Sequence, residues 1–188
     1  MKLTFRFIIT SLLLLLALNA CGKYSKPLPP ESFAPAAVKD LTVLPTVQGV
    51  AFNWVAPTTN SRSDELKDLE GYRIYRRELG QNARLKDPFA EFELIAEIVD
   101  THLKELNELK AKAQAQGQIS RRVTLPEERS RFQYLDNSVV SGKRYLYQII
   151  PINQGGVEGI FSERIDVLFR GEISQVVRLP YTAEDFEL

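Results

Sequence analysis

Cysteine and histidine occur once each among 188 residues. The chain can therefore close no disulfide within itself and can build no Cys/His cluster of the kind that holds zinc. It also lacks net charge, because 24 Lys plus Arg balance 24 Asp plus Glu. Without an excess of positive charge there is no electrostatic footprint for a phosphate backbone, which excludes a nucleic-acid binder. Loss of Lys2 and Arg6 with a leader would leave 22 cationic side chains against 24 anionic ones, and the exclusion stands. The Leu-rich stretch 7–18 is too short for a comfortable membrane-spanning helix, which needs about 20 apolar residues.

A reaction needs a positioned acid, base, nucleophile or metal. The single histidine, His102, falls at the start of a predicted helix, where an exposed structural role accounts for it. Asp64, Glu65, Asp68 and Glu70 crowd one loop without the alternating spacing and glycine of a calcium loop, so they read as solvated charge. Gly155-Gly156 marks a hairpin and no helix follows it, so it is not a phosphate loop. Arg170-Gly171-Glu172 has Glu where an integrin-type tripeptide requires Asp. The sequence implies no enzyme, no cofactor and no metal.

The N-terminus carries an address. Lys2 and Arg6 followed by 7–18 form the charged and apolar regions of a secretory signal over 1–20. The signal ends Leu18-Asn19-Ala20-Cys21, which resembles the bacterial lipobox. That resemblance implies cleavage before Cys21, a thioether-linked diacylglycerol on its sulfur and acylation of its amine. Several acyl chains hold a protein to a membrane far better than one. Gly22 stands where Asp would retain an enteric lipoprotein in the inner membrane, which implies the outer membrane with the domain facing the periplasm. Residues 21–36 then read as a tether. Four prolines within 27–35 favour polyproline II, and 16 residues reach at most about 50 Å.

Between 37 and 170 the chain alternates in short apolar segments separated by turn residues. Val50, Phe52 and Trp54 share one face of a strand, as do Tyr145, Tyr147 and Ile149 of another. Seven such strands predict an all-β antiparallel sandwich. The spacing of Val139, Gly142 and Tyr145 predicts a tyrosine corner, in which the Tyr hydroxyl bonds back to upstream backbone. Trp54 ahead of Pro57, Gly71-Tyr72-Arg73-Ile74-Tyr75-Arg76, Tyr134-Leu135-Asp136, Gly142 with Tyr145, and the Gly-rich segment 156–162 together resemble a fibronectin type III domain. The resemblance implies two sheets, A-B-E and C-C′-F-G. A plain sandwich of that kind has about 100 residues, so 37–170 carries insertions. The larger, 100–130, holds a predicted helix, capped by Asp100 or Thr101 and terminated by Gly117, with Leu103, Leu106 and Leu109 in a stripe. Residues 171–188 are left as a C-terminal tail.

Alternation also turns Leu146, Ile150 and Tyr75 to the outer face of the second sheet. An antiparallel sandwich usually presents polar residues there. The reading is that the Leu103–Leu106–Leu109 stripe or the tail (Val176, Val177, Leu179) covers this face, and that whatever stays bare binds a partner. The expected function is non-catalytic: an envelope lipoprotein that binds a protein partner or supports an envelope assembly. The alternative is a carbohydrate- or peptidoglycan-binding module, with Tyr75, Phe89 and Phe92 as candidate stacking residues.

Overall fold

A computed structural model describes residues 27–80, 91–161 and 163–180. The signal region, Cys21, Phe89 and the last eight residues of the tail lie outside the described residues. Within them, eight strands and one α-helix follow in order: β1 (Lys39–Thr46), β2 (Gly49–Val55), β3 (Leu69–Leu79), β4 (Glu93–Val99), α1 (His102–Ala115), β5 (Arg131–Asp136), β6 (Arg144–Asn153), β7 (Glu163–Leu168) and β8 (Gln175–Pro180). One sheet has the order β1-β2-β5 and the other β4-β3-β6-β7-β8, with every pairing antiparallel. These are the A-B-E and C′-C-F-G sheets of a fibronectin type III-like sandwich, with β8 added beyond G.

Period-2 alternation builds the core. Val50, Phe52 and Trp54 from β2 meet Tyr72 and Ile74 from β3, Tyr145, Tyr147 and Ile149 from β6, and Ile165 and Val167 from β7. The rings avoid face-to-face stacking where they meet most closely: Trp54 and Tyr72 cross edge-on at 5.2 Å, and Phe52 and Tyr147 tilt at 4.9 Å. That is the geometry the ring quadrupoles favour.

Two buried polar ties brace this apolar interior. Asp136 on β5 is buried and accepts from Tyr147 Oη at 2.8 Å, Arg76 Nη1 at 2.9 Å, Ser138 Oγ at 2.7 Å and the Ser138 amide at 3.0 Å. It thereby joins the two sheets. Burial alone would raise the Asp136 carboxyl, but the bonds from Ser138, Tyr147 and Arg76 outweigh it and hold the group below the usual carboxylate range. The second tie is Asp100, which accepts from Tyr72 Oη at 2.8 Å and from the His102 amide at 2.9 Å. Burial, then the neighbouring carboxylate, pushes the hydroxyls of Tyr72 and Tyr147 well above the ordinary tyrosine value.

The helix lies where the sequence puts it, but its surroundings differ from the expectation. Thr101 is the N-cap without a side-chain capping bond, Asp100 just before it accepts the His102 amide, and Gly117 (φ 70°) ends the helix, with Gln118 N–H donating to Ala113 O at 2.9 Å and Gly117 N–H to Gln114 O at 3.0 Å. That pair of bonds is a Schellman closure, which needs a left-handed residue at the position Gly117 occupies. The helix leads from the edge strand β4 to the edge strand β5. Leu103 packs against the inter-sheet core, a cluster to which Leu146 and Ile150 do not belong. Leu109 is 42% exposed. The Leu stripe therefore does not act as a cover for the Leu146–Ile150 face. The described part of the tail, 171–180, does not either. Residues 175–180 enter the sheet edgewise as β8, with Val176 against the core and Val177 turned out. The sheet continues past 170 because Ile165 and Val167 on β7 would otherwise have an open flank.

Candidate functional site

The face predicted to bind a partner is closed. Leu146 and Ile150 are both buried, as are Gln148 and Asp166 on the same outer surface of the β3–β6–β7 region. Tyr75 does point to that side, but its hydroxyl donates to Glu158 Oε1 at 2.6 Å. Arg73 donates to the same oxygen at 2.9 Å and to Glu97 Oε1 at 2.8 Å. Burial and then the Glu158 contact push the Tyr75 hydroxyl up to about 12. The structure thus separates the predicted set: Tyr75 is pinned by a loop carboxylate, Leu146 and Ile150 are inaccessible, Leu103 joins the core, Leu106 is half-buried and Leu109 faces out.

At the corner, Tyr145 is buried and its hydroxyl accepts from the Val140 amide at 3.0 Å. Val139 packs against the core, and Gly142 holds φ 87°, a left-handed conformation that lets the 137–143 turn close. The Arg76 guanidinium lies 5.3 Å from the Tyr145 ring centre, so the corner and the Asp136 tie share a wall. His102 is more built-in than its place at a helix start suggests. Its Nδ1 lies 2.6 Å from Asp100 Oδ1 and its ring tilts on Phe132. This arrangement seats the helix start on the sandwich.

An open surface lies on the other sheet. Register sets Leu44 opposite Ala51 and Ala51 opposite Leu135, one cross-strand row on the outer face of β1-β2-β5. Leu44 is 60% exposed and Leu135 40%, and Val47 in the adjoining β1–β2 turn is 76% exposed. The next row is polar: Thr42, Asn53 and Gln133. Two shallow depressions of about 500 Å³ and 520 Å³ flank these rows and share Asn53 and Gln133. The outer face of this sheet thus sets one apolar row beside one hydrogen-bonding row. The sequence reading placed the open surface on β6, where the apolar residues are denser. The signal was present in Val43-Leu44-Pro45, where alternation forces Leu44 outward once Val43 faces in.

Among the exposed large apolar side chains of the described residues, Phe33 is the sole aromatic, and it stands in the 3-10 turn Pro30–Phe33, away from these rows. Phe92 is half-buried.

No family model matches the chain, and no curated protein does. Among solved structures it is similar to the twitchin kinase region of C. elegans, at 14% identity and TM-score 0.42 over 74% of this chain, and it spans 17% of that chain's length. An Fn3-like protein from Clostridium thermocellum matches at 14% identity and TM-score 0.37, covering 73% of this chain and 95% of that one. The third fibronectin type III domain of a human protein matches at 13% identity and TM-score 0.38, covering 86% and 95%. Strand order and register, independent of these likenesses, make the domain a fibronectin type III-like β-sandwich with an inserted helix.

Proposed function

We propose that the chain is a non-catalytic lipoprotein of the cell envelope, anchored through lipid on Cys21, that offers the outer face of β1-β2-β5 to a protein partner. The observation that carries the binding surface is the exposed Leu44–Ala51–Leu135 row beside the Thr42–Asn53–Gln133 row. The leader pattern ending at the single cysteine supports the anchor, and Gly22 supports an outer-membrane, periplasm-facing address. Burial of Leu44 and Leu135 against a partner would contribute about 1.5–3 kcal/mol per fully buried side chain before ordering costs.

Site-specific photo-crosslinking from position 135 in intact envelopes tests the surface, with position 116 at the helix end as the control. A discrete adduct from 135 and none from 116 is the expected result; no adduct from 135 overturns the assignment. Cys21→Ser tests the anchor and is expected to leave the protein out of the membrane fraction.

The second reading, a carbohydrate- or peptidoglycan-binding module, has one observation in its favour: the hydroxyl and amide row of Thr42, Asn53 and Gln133 lines one of the two depressions, where Trp54 and Phe132 also contribute to the wall. Co-sedimentation with purified peptidoglycan that is lost in Asn53→Ala would favour it over a protein partner.

A further inference from the structure

Residues 27–36 read in sequence as the last part of a free Pro-rich spacer, yet 31–36 are fastened to one end of the sandwich. Pro30–Phe33 forms a 3-10 turn. The Ser61 hydroxyl sits 3.2 Å from the Glu31 carbonyl oxygen and 3.1 Å from that of Ser32, with its proton shared between them. The Ser61 amide donates to Ala34 O at 2.8 Å, and the Ala36 amide to Thr59 O at 3.0 Å. Ala34 and Pro35 are buried. From the other side Gly159 closes on the segment so tightly that a Cβ there would stand 2.2 Å from the Pro35 carbonyl oxygen. Gly159 cannot back away, because its amide donates to Pro151 O at 2.7 Å. The segment is gripped between the β2–β3 loop (56–68) and the β6–β7 connection (154–161).

We infer that this clamp decides which end of the domain faces the membrane: the end carrying the β2–β3 and β6–β7 loops lies toward the lipid, and the β1–β2 turn at 47–48 points away. The inference rests on the reading of Cys21 as the lipid-bearing residue. A spacer free to residue 36 would let the domain tumble at the end of about 50 Å of chain. With the 3-10 turn starting at Pro30, the chain from Cys21 to it spans at most about 30 Å. The two ends of the sandwich are themselves separated by β2, seven residues or about 23 Å. A link of that reach lets the far end approach the bilayer only when the chain folds back along the whole domain, so entry at one end weights the population toward that end lying nearer the lipid. Charge does not do this work. The two gripping loops carry Asp64, Glu65, Asp68 and Glu158 against Arg62 and Lys67, with Lys39 bonded to Thr58 and Arg73 to Glu158, so this end has no cationic excess to draw it to anionic headgroups. Orientation therefore comes from the covalent link and the clamp, not from adhesion.

Energy transfer tests the orientation. Full-length lipidated protein is placed in phosphatidylethanolamine–phosphatidylglycerol vesicles holding a headgroup acceptor, with the donor attached through Glu65→Cys or Val47→Cys. Transfer from 65 is expected to exceed that from 47 several-fold, and equal transfer from both overturns the inference. Gly159→Ala, which drives a methyl into the Pro35 carbonyl, is expected to bring the two positions toward equality. Ser61→Ala, which removes only a hydroxyl, does the same more mildly in a domain that stays folded. Flotation and amide hydrogen exchange on the same protein separate the causes. A chain that does not float with the vesicles refutes the anchor and the orientation together, while slow exchange at the Ser61 and Ala36 amides still reports the clamp. A chain that floats but exchanges those two amides rapidly refutes the clamp and leaves the anchor standing.

Discussion

Tyr145 and Asp136 show how single polar groups hold an apolar sandwich to one geometry. Tyr145→Phe keeps the ring in the core but leaves the Val140 amide without its acceptor. The expected loss is about 1–3 kcal/mol, read as a lower denaturant midpoint with an unchanged slope. Asp136 accepts four bonds and is buried between the sheets. Asp136→Asn removes the charge that pairs with Arg76 and is expected to cost about 3 kcal/mol near neutral pH. The pH dependence has a defined sign. The folded value of the carboxyl is depressed, so its stabilisation is complete above the unfolded value of about 4 and is lost as pH falls through the folded value. Denaturant midpoints measured between about pH 6 and about pH 2 should therefore fall more steeply in the native protein than in Asp136→Asn. Parallel curves would remove Asp136 from the acid limb. The meeting of Asp136 with Arg76 was not legible in the sequence. Alternation puts Asp136 inward after Phe132 and Tyr134, but nothing local says that Arg76, sixty residues away, arrives to meet it.

At the scale of elements, the helix and β8 were placed by the sequence with unequal success. Helix α1 follows from a run without Gly, Pro or β-branched residues between an Asp and a Gly, and all of that is local. Which of its leucines matters is not local, since it depends on the edge strands β4 and β5 that the helix connects. Leu103→Ala should lower stability by about 1–2 kcal/mol, because Leu103 packs on the core while part of it stays accessible. Leu109→Ala should change it by less than about 0.5 kcal/mol. Equal effects in thermal unfolding of the two variants would contradict this seating of the helix. Residues 175–180 alternate too weakly to announce a strand. They become one because Val167 and Asp166 offer an open flank to Val176 and Val177.

At the scale of the molecule, the two outer faces exchange the roles that composition suggests. The face with more apolar residues in sequence, around Leu146 and Ile150, is buried, and the plainer face of β1-β2-β5 is open. A charge on the open face should leave the fold alone. Leu135→Lys is expected to keep the native melting temperature, since Leu135 is already 40% exposed, and to abolish any adduct formed from a crosslinker at position 44. An unaltered adduct in Leu135→Lys would take the partner off this face.

By itself the sequence determined what is written in short range. The inward set of each strand, the turn glycines, the helix and the glycine that ends it, and the order of motifs that resembles a fibronectin type III domain all depend on neighbours a few residues apart. Tertiary structure alone decided which faces are covered, that residues 175–180 of the supposed tail form a strand, that residues 31–36 are gripped by two loops, and that Asp136 and Asp100 have partners. Each of those depends on segments tens of residues apart being brought together. A period-2 pattern says that a residue points up or down, but not what lies above it.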